Sequence, residues 1–344
     1  MVTTKRPARV CLIPHVSGVG GMVTFREKLV QGLTEHGIGT SYDLSDKPYE
    51  AILVIGGTHD LLGLWRAKHS GVRIIQRLDG MNWIHRRRKT GWWHFLRAEY
   101  GNIILSLIRS QLADQIVYQS KFSRNWWERV YGENNTPWKV VYNGVDLERY
   151  TPMGAGKTPE DHVRILLVEG SIGGGYEWGL ETAVRMAELI SPMYSQNVEV
   201  MVVGRISSEL QREWSEKAKV QVSFKGEVIP EQIPELDRSA HMLYASDINP
   251  ACPNSVIEAM ACGLPILAFD TGALSELVPT MAGKLPPYGG DPWNLDPPNL
   301  DALAEAAHTI LANQAGFRKA ARRRAEEAFG LDIMVEGYLE ALNL

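Results

Sequence analysis

The chain has 344 residues, 44% hydrophobic and 22% charged with a net charge of −4, which suits a globular protein too long for one core and sized for two domains. No apolar run approaches the ~18–20 residues that span a bilayer, and the stretch Met1–Pro7 lacks the apolar core of a signal peptide. Cys11, Cys252 and Cys262 have neither disulfide nor zinc spacing, so a cytoplasmic protein with reduced thiols is expected.

Short β-type runs alternate with helical patterns twice along the chain. The first expected strand, 10–13, leads through a glycine-rich turn into a helix over 22–36, where Met22, Phe25, Leu29 and Leu33 recur at spacings of three and four. Strands are expected next at 51–55, 72–75, 115–118 and 139–142. An Asn-Gly turn at 143–144, Pro152 and a Gly-rich stretch to Pro159 then mark a boundary. Beyond it, strands are expected at 164–168, 198–203, 220–224, 241–244, 265–268 and 283–285, with helices at 179–190, 208–219 and 255–261. After residue 300 the pattern is helical, at 300–313, 317–328 and 332–342. Alternating strand and helix implies parallel sheets with right-handed crossovers. The expected class is therefore α/β with two Rossmann-like domains: 1–145, a linker at 146–162, and 163–325, with a terminal helix in 326–344 that packs back on the first domain.

Two turns are rich in glycine. Gly18, Gly20 and Gly21 follow the first strand and precede a helix, where backbone N–H groups can approach a phosphate. No Gly-Lys-Ser/Thr follows, so this is not a P-loop. The second turn, 168–179, carries Gly170, Gly173, Gly174, Gly175 and Gly179 and fits a backbone cradle for an anion. For both, glycine that merely reverses or loosens the chain is the alternative.

The most informative segment is 249–268. A polar loop enters a short apolar helix bearing one acid, Glu258; Gly263 ends the helix and Pro265 opens a strand. A helix start at a sheet edge attracts anions, and a carboxylate held beside it can grip ribose hydroxyls. Ser255 and Glu258 also fit a capping box, which leaves a purely structural role open for the acid.

This array resembles the retaining glycosyltransferases of the GT-B fold, in particular glycosyltransferase family 4. The resemblance rests on the Ser17-to-Gly21 loop, Val141–Asp146, Phe224–Val228, Cys252–Ile266 and Thr271–Glu276, and is closest over 220–278. It implies two Rossmann-like domains facing a cleft and a nucleotide-sugar donor as substrate, with no cofactor and no metal. By the same resemblance, Glu258 binds the ribose, Gly226 to Val228 meet the base, and Asn254 and Ser255 sit near the diphosphate or sugar. Gly20 and Gly21 face the diphosphate from the other domain. The implied activity is transfer of a sugar, of the hexosyltransferase type, to a hydroxyl of a glycan, lipid or small molecule, with retention.

Three positions depart from the family pattern. Pro250 replaces the usual first glutamate, eight residues before Glu258; Ser171 and Trp178 replace an Arg and a Lys. Losing two cations beside a diphosphate matters, since charge-assisted contacts are the strong ones. Arg205 and the 173–175 backbone are the expected substitutes, although a surface Arg without a role fits equally. A nucleotide-sugar epimerase of the same fold and a non-catalytic nucleotide-sugar-binding subunit are the rival functions.

The acceptor side is expected in the first half, where Arg77 and Asp79 follow a strand and His85 lies further on. Asp79 is the candidate catalytic residue, with a local turn bond as its alternative. Residues 1–145 hold 20 Lys and Arg against 11 Asp and Glu (+9), leaving −13 for the rest, and contain seven of the ten tryptophans. Arg86–Lys89 and Trp92–Phe95 concentrate both. The pattern fits an anionic acceptor or peripheral contact with a membrane, or else a solvated basic face drawn to the acidic half. Nucleic acid is not an expected partner.

Overall fold

Aliphatic runs of four to six residues, uninterrupted by polar alternation, form strands buried on both faces, and that governs both halves of the chain. The structure, a computed structural model, describes residues 8–16, 18, 20–88, 91–173 and 177–344. It divides into two compact units, one ending at Gly144 and taking back Leu331–Leu344, the other Val145–Gly330.

The first unit runs β1 (Arg9–Ile13), α1 (Gly21–Glu35), β2 (Gly39–Ser41), β3 (Ala51–Ile55), α2 (Leu61–His69), β4 (Arg73–Leu78), α3 (Trp92–Leu107), β5 (Gln115–Tyr118), α4 (Lys121–Tyr131) and β6 (Trp138–Val140). Its sheet is parallel throughout, in the order β2-β1-β3-β4-β5-β6. Alternate residues of one strand serve opposite faces. Leu53 and Ile55 join Phe25, Leu29 and Leu33 of α1, while Ile52 and Val54 join Leu64 of α2 and Ile104 of α3. The strand β2, three residues without an apolar run, has no counterpart among the expected elements. Strand β4 continues past residue 75 through Gln76 and Arg77. Both are buried, and Gln76 donates to the carbonyls of Gly56 (3.0 Å) and Leu105 (3.1 Å).

The second unit runs β7 (His162–Ile172), α5 (Trp178–Ile190), β8 (Asn197–Ile206), α6 (Ser208–Lys217), β9 (Gln221–Gly226), α7 (Ile233–Arg238), β10 (Met242–Tyr244), α8 (Asn254–Ala261), β11 (Ile266–Leu267), α9 (Leu274–Leu277), β12 (Gly283–Lys284), α10 (Leu300–Ala312) and α11 (Gln314–Ala328). Its sheet, also parallel, is ordered β12-β11-β10-β7-β8-β9. Strand β7 runs further than expected: a register shift between Val168 and Ser171 carries Glu169 and Gly170 into it, so the expected turn begins as strand.

Residues 146–162, expected as a linker, are fastened to this second unit. Arg322 of α11 donates to the carbonyls of Tyr150 (2.7 Å) and Ala261 (2.8 Å), and Arg238 Nε donates to that of Ala155 (2.6 Å). The last helix, α12 (Leu331–Leu342), belongs to the first unit, where Met334, Val335 and Tyr338 complete the core around α1.

Candidate functional site

In an open parallel sheet, ligands bind beyond the carboxyl ends of the strands where the winding reverses. That point lies between β7 and β10 in the second unit and between β1 and β3 in the first.

Around the second unit's reversal the sequence places a polar rim. The helix α8 begins at Asn254 behind Pro253, with no side chain among the described residues capping its start. Ser255 is thus inside the helix, and the capping box with Glu258 does not form. Glu258 stands one turn in, half-buried. Behind it lies Asp237, 1% exposed at the end of α7, with Oδ2 lacking a hydrogen-bond partner among the described residues. Burial, reinforced by the Glu258 charge, holds the Asp237 carboxyl well above the usual range. That bias towards the protonated form lessens the like charge behind Glu258. Tyr150 and Cys262 complete this pocket, their protons also retained chiefly by burial.

Two carboxyl groups at the same reversal were not among the expected site residues. Glu169, near the end of β7, accepts a 2.5 Å hydrogen bond from Ser246 Oγ, just past β10. Burial and then the charge of Asp247 push its carboxyl well above the ordinary carboxylate range. Asp247 is open to solvent, yet enough protein surrounds it to raise its carboxyl too. The backbone here is packed to contact: a Cβ on Gly204 (φ 133) would come within 1.8 Å of the Glu169 carbonyl. Only glycine fits there, so β8 holds Glu169 in place. The detectable signal was polar residues directly after apolar strand runs, at Glu169 and at Ser246-Asp247.

The remaining expected residues of this unit divide. Gly173 follows β7 with open space where a Cβ would stand; Gly174 lies outside the described residues. Gly226 closes β9 at φ 72, also facing open space, and Val228 is half-buried just beyond. Arg205 sits at the end of β8 with 68% of its side chain exposed and Glu227 3.9 Å away. It shares an open recess of about 490 Å³ with Glu177, Glu209 and Glu213, an acidic setting that suits a diphosphate poorly. Trp178 opens α5 with its buried indole N–H unpartnered among the described residues. Pro250 is buried, and its carbonyl accepts from the N–H of Ala273 (2.8 Å).

In the first unit, Gly18 (φ 98) and Gly20 (φ 146) lie beyond β1, and both face open space. A side chain at Gly20 would be strained where the backbone turns into α1, which begins at Gly21. Arg26 ties the loop down through the Val16 carbonyl. Asp79 follows β4, half-buried, its backbone carbonyl accepting from Ser123 Oγ and Trp127 Nε1, both 2.8 Å. Burial raises its carboxyl against the pull of Arg77. Arg77 itself is 2% exposed, stacked 3.9 Å over Phe25 and donating to Asn143. His85 is buried and pairs with Glu99 of α3 at 2.7 Å.

Among the described residues no three His, Cys, Asp or Glu side chains gather as a metal-binding group. The family model described as glycosyl transferases group 1 matches residues 164–313, within the second unit. No curated protein matches the chain by sequence. Among solved structures, sucrose-phosphate synthase (tll1590) from Thermosynechococcus elongatus is similar with a TM-score of 0.77 at 17% identity, over 98% of each chain. Anabaena Alr3699/HepE, in complex with UDP and glucose, gives 0.69 at 15% identity over 98% of this chain and 100% of that one. A glycosyltransferase from Rickettsia africae ESF-5 gives 0.67 at 15%, over 98% of each. At these identities the likeness is one of fold, and the two parallel six-stranded sheets are those of GT-B proteins.

Proposed function

We propose that this chain, whose second unit carries a group 1 glycosyltransferase domain, transfers a sugar from a nucleoside-diphosphate donor to a hydroxyl acceptor, with retention and without a divalent ion. The observation carrying this reading is the start of α8 at the sheet reversal, uncapped by any side chain among the described residues, with Asn254 and Ser255 on its first turn and Glu258 one turn on. In this reading Glu258 accepts from the ribose hydroxyls, the backbone from Gly226 to Val228 meets the base, and α8's N-terminal N–H groups face the diphosphate. Alr3699/HepE was solved with UDP-glucose, which makes UDP-hexoses the first donors to try.

Bond cleavage places positive charge on the anomeric carbon and negative charge on the leaving diphosphate. Preorganised dipoles that match this separation lower the barrier. Arg205 is exposed and stands among Glu177, Glu209, Glu213 and Glu227, so in this reading the helix start supplies most of the stabilisation. Pro250 offers no carboxyl to the sugar. Glu169 and Asp247 take that place, and a protonated Glu169 donates a hydrogen bond where an ionised one would repel the diphosphate. In the first unit, Asp79 is assigned to orienting the acceptor hydroxyl.

The test is calorimetry with UDP, GDP and their hexose conjugates, followed by nucleotide release with hydroxyl acceptors. Absence of binding to every one of these nucleotides would overturn the reading. The acid pair Glu169–Asp247 also favours a second reading, epimerisation of the nucleotide sugar. A new sugar isomer released without acceptor selects that reading.

A further inference from the structure

An apolar helix face belongs in an interior, yet α3 packs on the first unit by one side and leaves apolar side chains exposed on the other. Its inner side is fixed: Asn102 is buried and bonded to Asn82, Ile104 is buried, and the π turn Ile108–Leu112 that continues the helix anchors Arg109 on Tyr118 and Gly132. Its outer side carries Trp92 (63% exposed), Leu96 (49%), Tyr100 (52%), Ile103 (49%) and Leu107 (43%), at spacings of three and four. These residues form one straight stripe.

The stripe widens onto α2. His59 stacks on Tyr100 with ring centroids 5.7 Å apart, and Lys68 reaches the carbonyls of Gln111 and Leu112. These ties hold α2 near α3 and its π turn, and α2 adds two exposed apolar side chains of its own, Leu62 (56% exposed) and Trp65 (49%). Scattered exposed apolar residues need no explanation, but a contiguous aromatic and aliphatic surface on a rigid support marks a docking face.

The charges choose the occupant. Arg66, Arg87 and Arg97 are exposed around the face. The nearby acids are engaged: Glu99 by Arg86 and His85, Asp114 by Lys68, and Asp60 by the cap of α2. A second copy docking by a two-fold axis would bring this cationic rim against itself. An anionic lipid surface matches it, and tryptophan favours the boundary between headgroup and acyl chain. Among the described residues no helix is long and apolar enough to cross a membrane, so contact is in the plane of the surface.

We propose that the outer face of α3 and α2 seats the protein on an anionic lipid bilayer. This assignment does not depend on the transferase reading. The experiment is flotation of the full chain with phosphatidylcholine vesicles, with and without phosphatidylglycerol, alongside tryptophan emission. The expected result is binding to the anionic vesicles only, with a blue shift, weakened by salt. The double variant Ile103→Glu/Leu107→Glu should bind roughly tenfold or more weakly, with an unchanged thermal unfolding curve. Arg66→Glu/Arg97→Glu should lose a comparable factor without touching the apolar stripe. Failure of the wild type to float with anionic vesicles overturns the proposal. So does equal binding by both variants, and so does a solution dimer that Ile103→Glu dissociates.

Discussion

Glu258 and Glu169 are both glutamates at one sheet reversal, and their surroundings assign them opposite work. Glu258, backed by an Asp237 carboxyl that burial biases towards its protonated form, is assigned the acceptor's part towards the ribose. Its replacement by Ala should weaken UDP binding about 10- to 100-fold, as expected for hydrogen bonds to a charged group, measured by calorimetry; unchanged affinity rules out ribose binding. Glu169 keeps its proton because burial and Asp247 disfavour its charge. A group that works protonated loses function as pH rises through its elevated pKa, so wild-type turnover should decline on the alkaline side. Glu169→Gln, a permanent donor, should remove that decline, and a profile identical to wild type would exclude the role. The first acid was legible in the sequence because helix, loop and exit strand are contiguous around it. The second was not, since Ser246 meets Glu169 across 77 residues. Arg77 was misleading for a related reason: its charge is hidden under Phe25, a contact that needs α1 folded onto β4.

Among the elements, the long aliphatic strands were legible and their polar ends were not. Apolar runs announce β3 or the middle of β7, whereas Gln76, Arg77 and Glu169 continue strands through partners that only the fold supplies. The pairing of β7 with β10 shows the same dependence. Arg164 N–H donates to His241 Nδ1 (3.0 Å) while the His241 N–H donates to the Arg164 carbonyl (2.8 Å). Burial, aided by Arg318, His162 and Arg164, lowers the His241 pKa to about 4. The unfolded chain then binds a proton near pH 6.5 that the folded one refuses, so this contribution is complete above about 6.5 and lost as pH falls towards 4. Chemical denaturation across that window should show a loss on the order of 2–3 kcal/mol that His241→Asn reduces. Equal slopes would remove His241 as the cause. The outward face of α3 escaped sequence reading because apolar residues on both sides of a helix leave no period to tell inside from outside.

At the scale of the molecule, two doubly wound units account for the alternating pattern, and the chain passes between them twice. The second passage is secured at Gly32, where an added Cβ would lie 2.2 Å from Val335 Cγ2 of α12. Gly32→Ala should destabilise the first unit by about 1–3 kcal/mol through overpacking, and Val335→Ala in the same chain should restore part of it. Urea unfolding of the single and double variants reads the difference; two additive losses would mean that the helices do not press on each other there. The stripe at the helix interface was visible as period in the sequence, but its partner is contributed from beyond the other unit.

That return has a consequence for synthesis. On the ribosome the first unit emerges early, yet the helix that fills its core around Phe25 and Leu29 is translated only after the whole of Val145–Gly330. At roughly 5–20 residues per second, the nascent first unit waits on the order of ten seconds or more with that groove open. The unit encoded second is the first able to finish folding, and a chaperone that covers nascent apolar surface would find its binding site on α1.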